Sequence, residues 1–258
     1  MNGTKRSIDE IVIMNFTDVY QREHFYESFP HIWVDCKEIN GTYGYCDETA
    51  VSKIEKQIAM LPVEGIHFID SGNFHYVSKI WTDRIYIPFS LIVFDHHPDM
   101  QPSLFSNLLS CGCWVKAALD TNPNLQRVIL VGAEEKLLQN VAVSYRNRVH
   151  VYSQEKLQHE EGWKAFAREY VKEPVYISID KDLLNNDSAI TDWDQGIFSI
   201  EELKKLLSLI LDKEEVLGID ICGECPDTLL RVKDWHEQKI NDETNKELLQ
   251  FLIAKSFT

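Results

Sequence analysis

Leu91-Ile92-Val93-Phe94-Asp95-His96-His97-Pro98-Asp99 joins a continuously apolar run to a cluster of carboxylates and imidazoles. The run shows no polar alternation, which fits a strand buried on both faces of a parallel sheet. In open sheets of that kind, ligands gather beyond the carboxyl ends of the strands, which is where the charged cluster stands. Extended backbone places residues i, i+2 and i+4 on one face. Asp95, His97 and Asp99 can therefore face one cavity, while His96 and Pro98 turn elsewhere.

The same layout occurs twice more. Ile66-His67-Phe68-Ile69 leads into Ser71-Gly72-Asn73-Phe74-His75, and Val175-Tyr176-Ile177-Ser178 leads into Asp180-Lys181-Asp182. Further β-rich runs are Ile11–Met14, His31–Val34, Val128–Val131, Val149–Tyr152 and Val216–Ile219. Helical spacing is clearest over Val51–Met60, Leu104–Leu119, Gln154–Val171, Ile200–Leu211 and Glu243–Lys255, and Ser199 before Glu201-Glu202 reads as a helix N-cap with an acidic first turn. Cys36–Glu48 reads as a loop, punctuated by Asn40-Gly41 and Gly44. Strands alternating with helices predict an α/β fold, a three-layer α/β/α arrangement around a mostly parallel sheet of about eight strands. No repeat, low-complexity linker or charge block divides the chain, so residues 1–258 are read as one domain.

Four aspartates converging on one cavity repel one another, and some must take up protons unless cations compensate. Two divalent ions would balance Asp95, Asp99, Asp180 and Asp182. Oxygen-rich ligation completed by His75 and His97 favours hard to borderline ions such as Mn²⁺ over a thiolate-type zinc site. Two such ions about 3.5–4 Å apart can activate a shared water near neutral pH. A single Asp at a strand end often just caps the next helix, but three clusters at corresponding places argue for a binuclear metal centre.

These residues resemble the arginase/agmatinase/formiminoglutamase family, the ureohydrolases. That family carries Gly-Gly-Asp-His, Asp-Ala-His-x-Asp and Ser-x-Asp-x-Asp clusters. Here they appear as Gly72-Asn73-Phe74-His75, Asp95-His96-His97-Pro98-Asp99 and Ser178-Ile179-Asp180-Lys181-Asp182. The resemblance implies two Mn²⁺ ions, one held by His75, Asp95, Asp99 and Asp180, the other by Asp95, His97, Asp180 and Asp182. Asp95 and Asp180 would bridge, and a hydroxide between the ions would attack a guanidino or related carbon. Histone-deacetylase-like enzymes share the fold but bind one zinc and lack a counterpart of Asp99, so Asp99 favours the binuclear branch.

Asn73-Phe74 stand where the family has Gly-Asp, a change that spares the ligand, and the chain departs from the pattern in three further places. Where the family has a proton-shuttle histidine, this sequence reads Ser110-Cys111-Gly112-Cys113-Trp114. The substrate-recognising glutamate of the family corresponds most nearly to Glu224, one residue late in Asp220-Ile221-Cys222-Gly223-Glu224-Cys225-Pro226. A one-residue slip on a continuing strand turns a side chain to the other face, whereas Gly223 could re-aim it past the strand end. The family's substrate loop is replaced by Thr191-Asp192-Trp193-Asp194-Gln195-Gly196, where Asp194 could meet a cationic substrate and Trp193 cover it. Asp99 and Glu224 are thus the expected catalytic residues, and Trp114, Trp193 and Asp194 the expected substrate contacts. Cys111, Cys113, Cys222 and Cys225 read as packing thiols, with a four-cysteine zinc site as the alternative.

Composition bounds the rest. The 258-residue chain has 26 basic and 41 acidic residues, a net charge of −15, which argues against a nucleic-acid partner and suits a small-molecule or peptide-borne cationic substrate. No apolar run approaches the roughly 20 residues of a membrane span and Met1–Glu10 lacks a signal-peptide pattern, so a cytoplasmic protein with reduced thiols is expected, and family members often form homo-oligomers. The leading expectation is a hydrolase of a non-peptide C–N bond in a guanidino, amidino or formimino compound. A deacetylase-like amidohydrolase and a non-catalytic metal-binding protein are the rivals.

Overall fold

The computed structural model describes residues 10–103, 108–141, 143–169, 171–228 and 235–256. Eight strands form one sheet: β1 (Ile11–Asn15), β2 (Ile32–Asp35), β4 (Ile66–Phe68), β5 (Phe89–Phe94), β7 (Leu125–Val131), β8 (Val149–Tyr152), β9 (Val175–Asp180) and β10 (Val216–Cys222). Their order is β2-β1-β4-β10-β9-β5-β7-β8, and every pairing is parallel. All eight runs expected from the sequence are strands of this sheet. A small antiparallel pair, β3 (Tyr45–Cys46) with β6 (Leu109–Ser110), stands apart from it.

The apolar runs have a simple consequence. Alternate residues of each strand feed two separate cores, Val12 and Met14 on one face, Ile11 and Ile13 on the other. The first face is covered by α1 (Glu48–Ile58), α2 (Val77–Thr82) and α3 (Trp114–Thr121), through Ile54, Ile58, Trp81 and Val115. The second is covered by α4 (Gln154–Leu157), α5 (Glu160–Ala167), α6 (Ile200–Leu211) and α7 (Trp235–Ser256), through Leu157, Phe166, Leu206 and Leu249. The result is the expected three-layer α/β/α arrangement. Ser199 caps α6 in a full capping box: its Oγ accepts from the Glu202 amide, and the Glu202 carboxylate accepts from the Ser199 amide.

The helices match less closely than the strands. The expected helix over Leu104–Leu119 begins only at Trp114, because Leu109-Ser110 pairs with Tyr45-Cys46 and a Cys111–Cys113 turn intervenes; residues 104–107 lie outside the described residues. The segment Gln154–Val171 splits into α4 and α5 at a tight fold, where a Cβ on Gly162 would stand 2.0 Å from the Lys156 carbonyl oxygen. α7 begins at Trp235, well before Glu243.

β4 and β5 follow one another in sequence but are separated in the sheet by β10 and β9. Their exits diverge around a crevice, the place where such sheets bind ligands. His75 follows β4, Asp95 follows β5, and Asp180 ends β9.

Candidate metal centre

His75 lies in a short turn after β4 and is 1% exposed. Its Nε2 faces Ser178 Oγ at 2.8 Å, and that hydroxyl donates to Asp220 Oδ1 at 2.6 Å. A hydroxyl committed as donor to Asp220 accepts from Nε2–H, which leaves the Nδ1 lone pair bare. Nδ1 is a buried atom with no hydrogen-bond partner. Around it stand Asp99 Oδ2 at 3.1 Å, Asp95 Oδ2 at 3.2 Å and Asp180 Oδ2 at 3.5 Å. Three carboxylate oxygens and an orphaned imidazole nitrogen converging on one volume fit a divalent cation.

The second position adjoins it. His97 Nδ1 is 2.8 Å from Asp182 Oδ2 and 3.6 Å from Asp95 Oδ1. Asp95 therefore presents one oxygen to each imidazole, an arrangement that would let its carboxylate bridge two ions. Asp182 is fixed from behind, its Oδ1 accepting from the His96 amide at 3.0 Å, and Asp180 Oδ1 accepts from the Asp182 amide at 2.9 Å. Asp99 adopts a left-handed backbone at φ 49°, a conformation aspartate tolerates better than most residues. The segment has left extended geometry after Phe94, which is why Pro98, expected to turn away, also lines the cavity.

Electrostatics show the strain of this cluster without cations. Burial, and then the charges of neighbouring aspartates, push Asp180 up to about 7 and Asp182 up to about 6. Burial opposes charge on His97, but its hydrogen bonds to Asp182 and Asp95 outweigh that and push it up to about 12. His75 is likewise raised, against burial, by Cys222, Asp95 and Asp99. Without cations the carboxylates thus favour a proton at the same nitrogens that the donor set would offer to metal.

Gly72 is needed here. A Cβ at that position would stand 2.8 Å from Asp180 Oδ2 and 3.1 Å from Trp193 Cδ1. The carboxylates form the floor of a cavity of about 410 Å³ whose walls include Tyr43, Tyr45, Met100, Leu137, Val141 and Trp193.

The expected site residues sort clearly. The six metal-ligand candidates come together. Trp193 lines the cavity, 44% exposed, with its ring 5.8 Å from that of His97. Trp114 does not: it is fully buried, and its indole N–H donates to Asp99 Oδ2 at 2.7 Å, so it orients a carboxylate rather than meeting substrate. Asp194 is exposed and lies outside the cavity lining. Asp192 in that loop is also exposed and outside the lining, but its carboxylate is fixed beside the site, accepting from Asn73 Nδ2 at 2.6 Å and Ser71 Oγ at 3.1 Å.

Glu224 is also a correction. Gly223, at φ +94°, re-aims the chain, and only glycine fits there, since a Cβ would stand 2.4 Å from Asp180 Oδ1. Glu224 then points away from the cavity, fully buried, into an ion pair with Lys181 and hydrogen bonds from Asn241 at 2.6 Å and Asn245 at 2.7 Å. Where a shuttle histidine was sought, Cys111 and Gly112 line the wall; burial and the charge of Asp99 push the Cys111 thiol up to about 12. A four-cysteine zinc site is not formed. The clusters able to hold a metal among the described residues include Cys222 but none of Cys111, Cys113 and Cys225.

The profile of the Arginase family matches residues 17–227. The chain belongs to the arginase family. A Thermotoga maritima protein described as uncharacterized is 32% identical over 232 residues, covering 90% of this chain and 86% of that protein. Among solved structures, proclavaminate amidinohydrolase from Streptomyces clavuligerus is similar at a TM-score of 0.71 and 16% identity, over 98% of this chain and 94% of that one. Arginase from Bacillus subtilis gives 0.67 at 16% identity, covering 96% and 98%. Trypanosoma cruzi formiminoglutamase, solved with Mn²⁺, gives 0.67 at 12% identity, covering 98% and 95%. These likenesses establish the arginase-type fold. No helix among the described residues is long and apolar enough to cross a membrane.

Proposed function

We propose that this arginase-family chain is a binuclear, Mn²⁺-dependent hydrolase of a non-peptide C–N bond in a guanidino, amidino or formimino compound. The observation that carries this reading is the bare, buried Nδ1 of His75 among three carboxylate oxygens. Bound divalent ions would acidify a water for attack and polarise the carbon it meets. The chain does the rest. Asp95 spans both imidazoles, the Ser178–Asp220 relay holds the His75 tautomer, and Trp114 holds Asp99 in place.

The walls bear on the substrate. Tyr43, Tyr45 and Trp193 are 56%, 45% and 44% exposed and ring an acidic floor, an arrangement suited to a delocalised cation. Asp192 adds negative charge beside them. The apolar wall of Met100, Leu137 and Val141 suits a cation carried on a larger neutral body, a peptide-borne arginine included, as well as a small amidine. Burial and the charge of Asp99 push the Cys111 thiol up to about 12, far from the range that suits a proton shuttle near neutral pH.

The test is turnover by the manganese-loaded protein on a panel of free, amidated and peptide-borne guanidino compounds, with formimino and acylated amines alongside. Release of urea, or of the corresponding amide, supports the proposal. Acetate release with one ion bound would favour the deacetylase-like rival. Two ions bound with no turnover on the panel would favour a non-catalytic role.

A further inference from the structure

Cys222 reads from sequence as a packing thiol, but its surroundings are those of a ligand. It ends β10 directly in register with Asp180 on β9, and residues paired this way project from the same face of the sheet. Its Sγ is 3.2 Å from Asp180 Oδ2, the same oxygen that stands 3.5 Å from His75 Nδ1. Ligand-capable atoms of His75, Asp180 and Cys222 all lie within 4.8 Å of one another, and all three residues are buried. Independently, the orphaned Nδ1 of His75, in a side chain 1% exposed, is aimed into the same volume.

We propose that Cys222 Sγ is a ligand of the ion held by His75. That position becomes a mixed nitrogen, oxygen and sulfur site, distinct from the all-nitrogen-and-oxygen position at His97. Thiolate favours softer ions such as Zn²⁺ or Co²⁺, and carboxylate favours Mn²⁺, so the two positions differ in metal preference. Ligation breaks the S–H bond and forms a sulfur–metal bond, and the proton passes to solvent; no oxidant or reductant is involved. The inference rests on the binuclear reading above.

The experiment uses the full chain, stripped with chelator and reloaded with Co²⁺ without oxygen. Visible ligand-field bands report bound cobalt, and an intense near-ultraviolet charge-transfer band reports a cobalt–thiolate bond. The wild type is expected to show both. Cys222→Ser is expected to keep the ligand-field bands, lose the charge-transfer band and lose about tenfold of its preference for Zn²⁺ over Mn²⁺. Cys111→Ser, altering the other thiol near the cavity, is expected to keep both. Ligand-field bands without charge transfer in the wild type overturn the assignment while leaving the binuclear centre standing, and Cys222 is then a donor to Asp180. A charge-transfer band lost in Cys111→Ser rather than Cys222→Ser overturns it as well. No cobalt or manganese uptake by the wild type overturns both readings. Should Cys222→Ser fail to fold, absence of the band in the wild type still overturns the assignment, and its persistence in Cys111→Ser supports it.

Discussion

Lys181 and Glu224 sit side by side with the carboxylate cluster, yet they do different work. Lys181 lies between Asp180 and Asp182 and is fully buried, held by Glu224 and by Asn245 Oδ1 at 2.9 Å. Removing one partner of a buried pair strands the other charge, at a cost of roughly 3–5 kcal/mol. Glu224→Ala should therefore lower the urea-unfolding free energy by about that amount; unchanged stability with a raised KM would return Glu224 to substrate binding. Trp114→Phe removes the donor to Asp99 while keeping an aromatic core residue. Its metal affinity should fall by about 10–100-fold, read by chelator competition. Asp95→Ala and Asp180→Ala should lose more bound metal than Asp182→Ala, since Asp95 presents an oxygen to each imidazole and Asp180 is expected to bridge. Equal metal content in the three variants would sink that ligand assignment. At this scale the candidate ligands stood out because they cluster at strand ends with period-two spacing. The direction of Glu224 did not, because a positive φ at Gly223 leaves no mark beyond the glycine itself. Nor did that of Trp114, whose partner Asp99 is fifteen residues away.

Elements were legible in proportion to how far local pattern sets them. Each strand of the large sheet carries a short run dominated by apolar residues, because both faces are covered. α6 carries its own start signal, and Ser199→Ala should cost about 1 kcal/mol of stability with metal content unchanged, since the cap lies outside the donor set. α2 escaped notice because nearly all of it is buried, from Val77 through Thr82, with Lys79 intermediate, which erases the amphipathic period on which helix reading depends. β3 and β6 are two residues each and exist through each other, so no window of sequence signals them. The turn between α4 and α5 depends likewise on the close approach of Gly162 to the Lys156 carbonyl.

For the molecule as a whole, a carboxylate cluster at the carboxyl ends of the central strands ties stability to protons and metal. Asp180 and Asp182, at about 7 and about 6, hold protons that the unfolded chain releases near pH 4. Their raised values make the metal-free fold lose stability as pH rises through roughly 4 to 7, and the raised imidazoles shift it in the same direction at higher pH. Metal must displace those protons. Stabilisation by Mn²⁺ should therefore be small near pH 5 and large near pH 8, with proton release on binding; unfolding midpoints with and without Mn²⁺ across that range check it, and a gain independent of pH would contradict it. The central claim, a two-ion site, is tested most directly by metal content per chain after manganese loading and removal of free ions. The account predicts a value near two. A value near one would point to deacetylase-like chemistry or a damaged centre, and a value near zero would contradict the account outright.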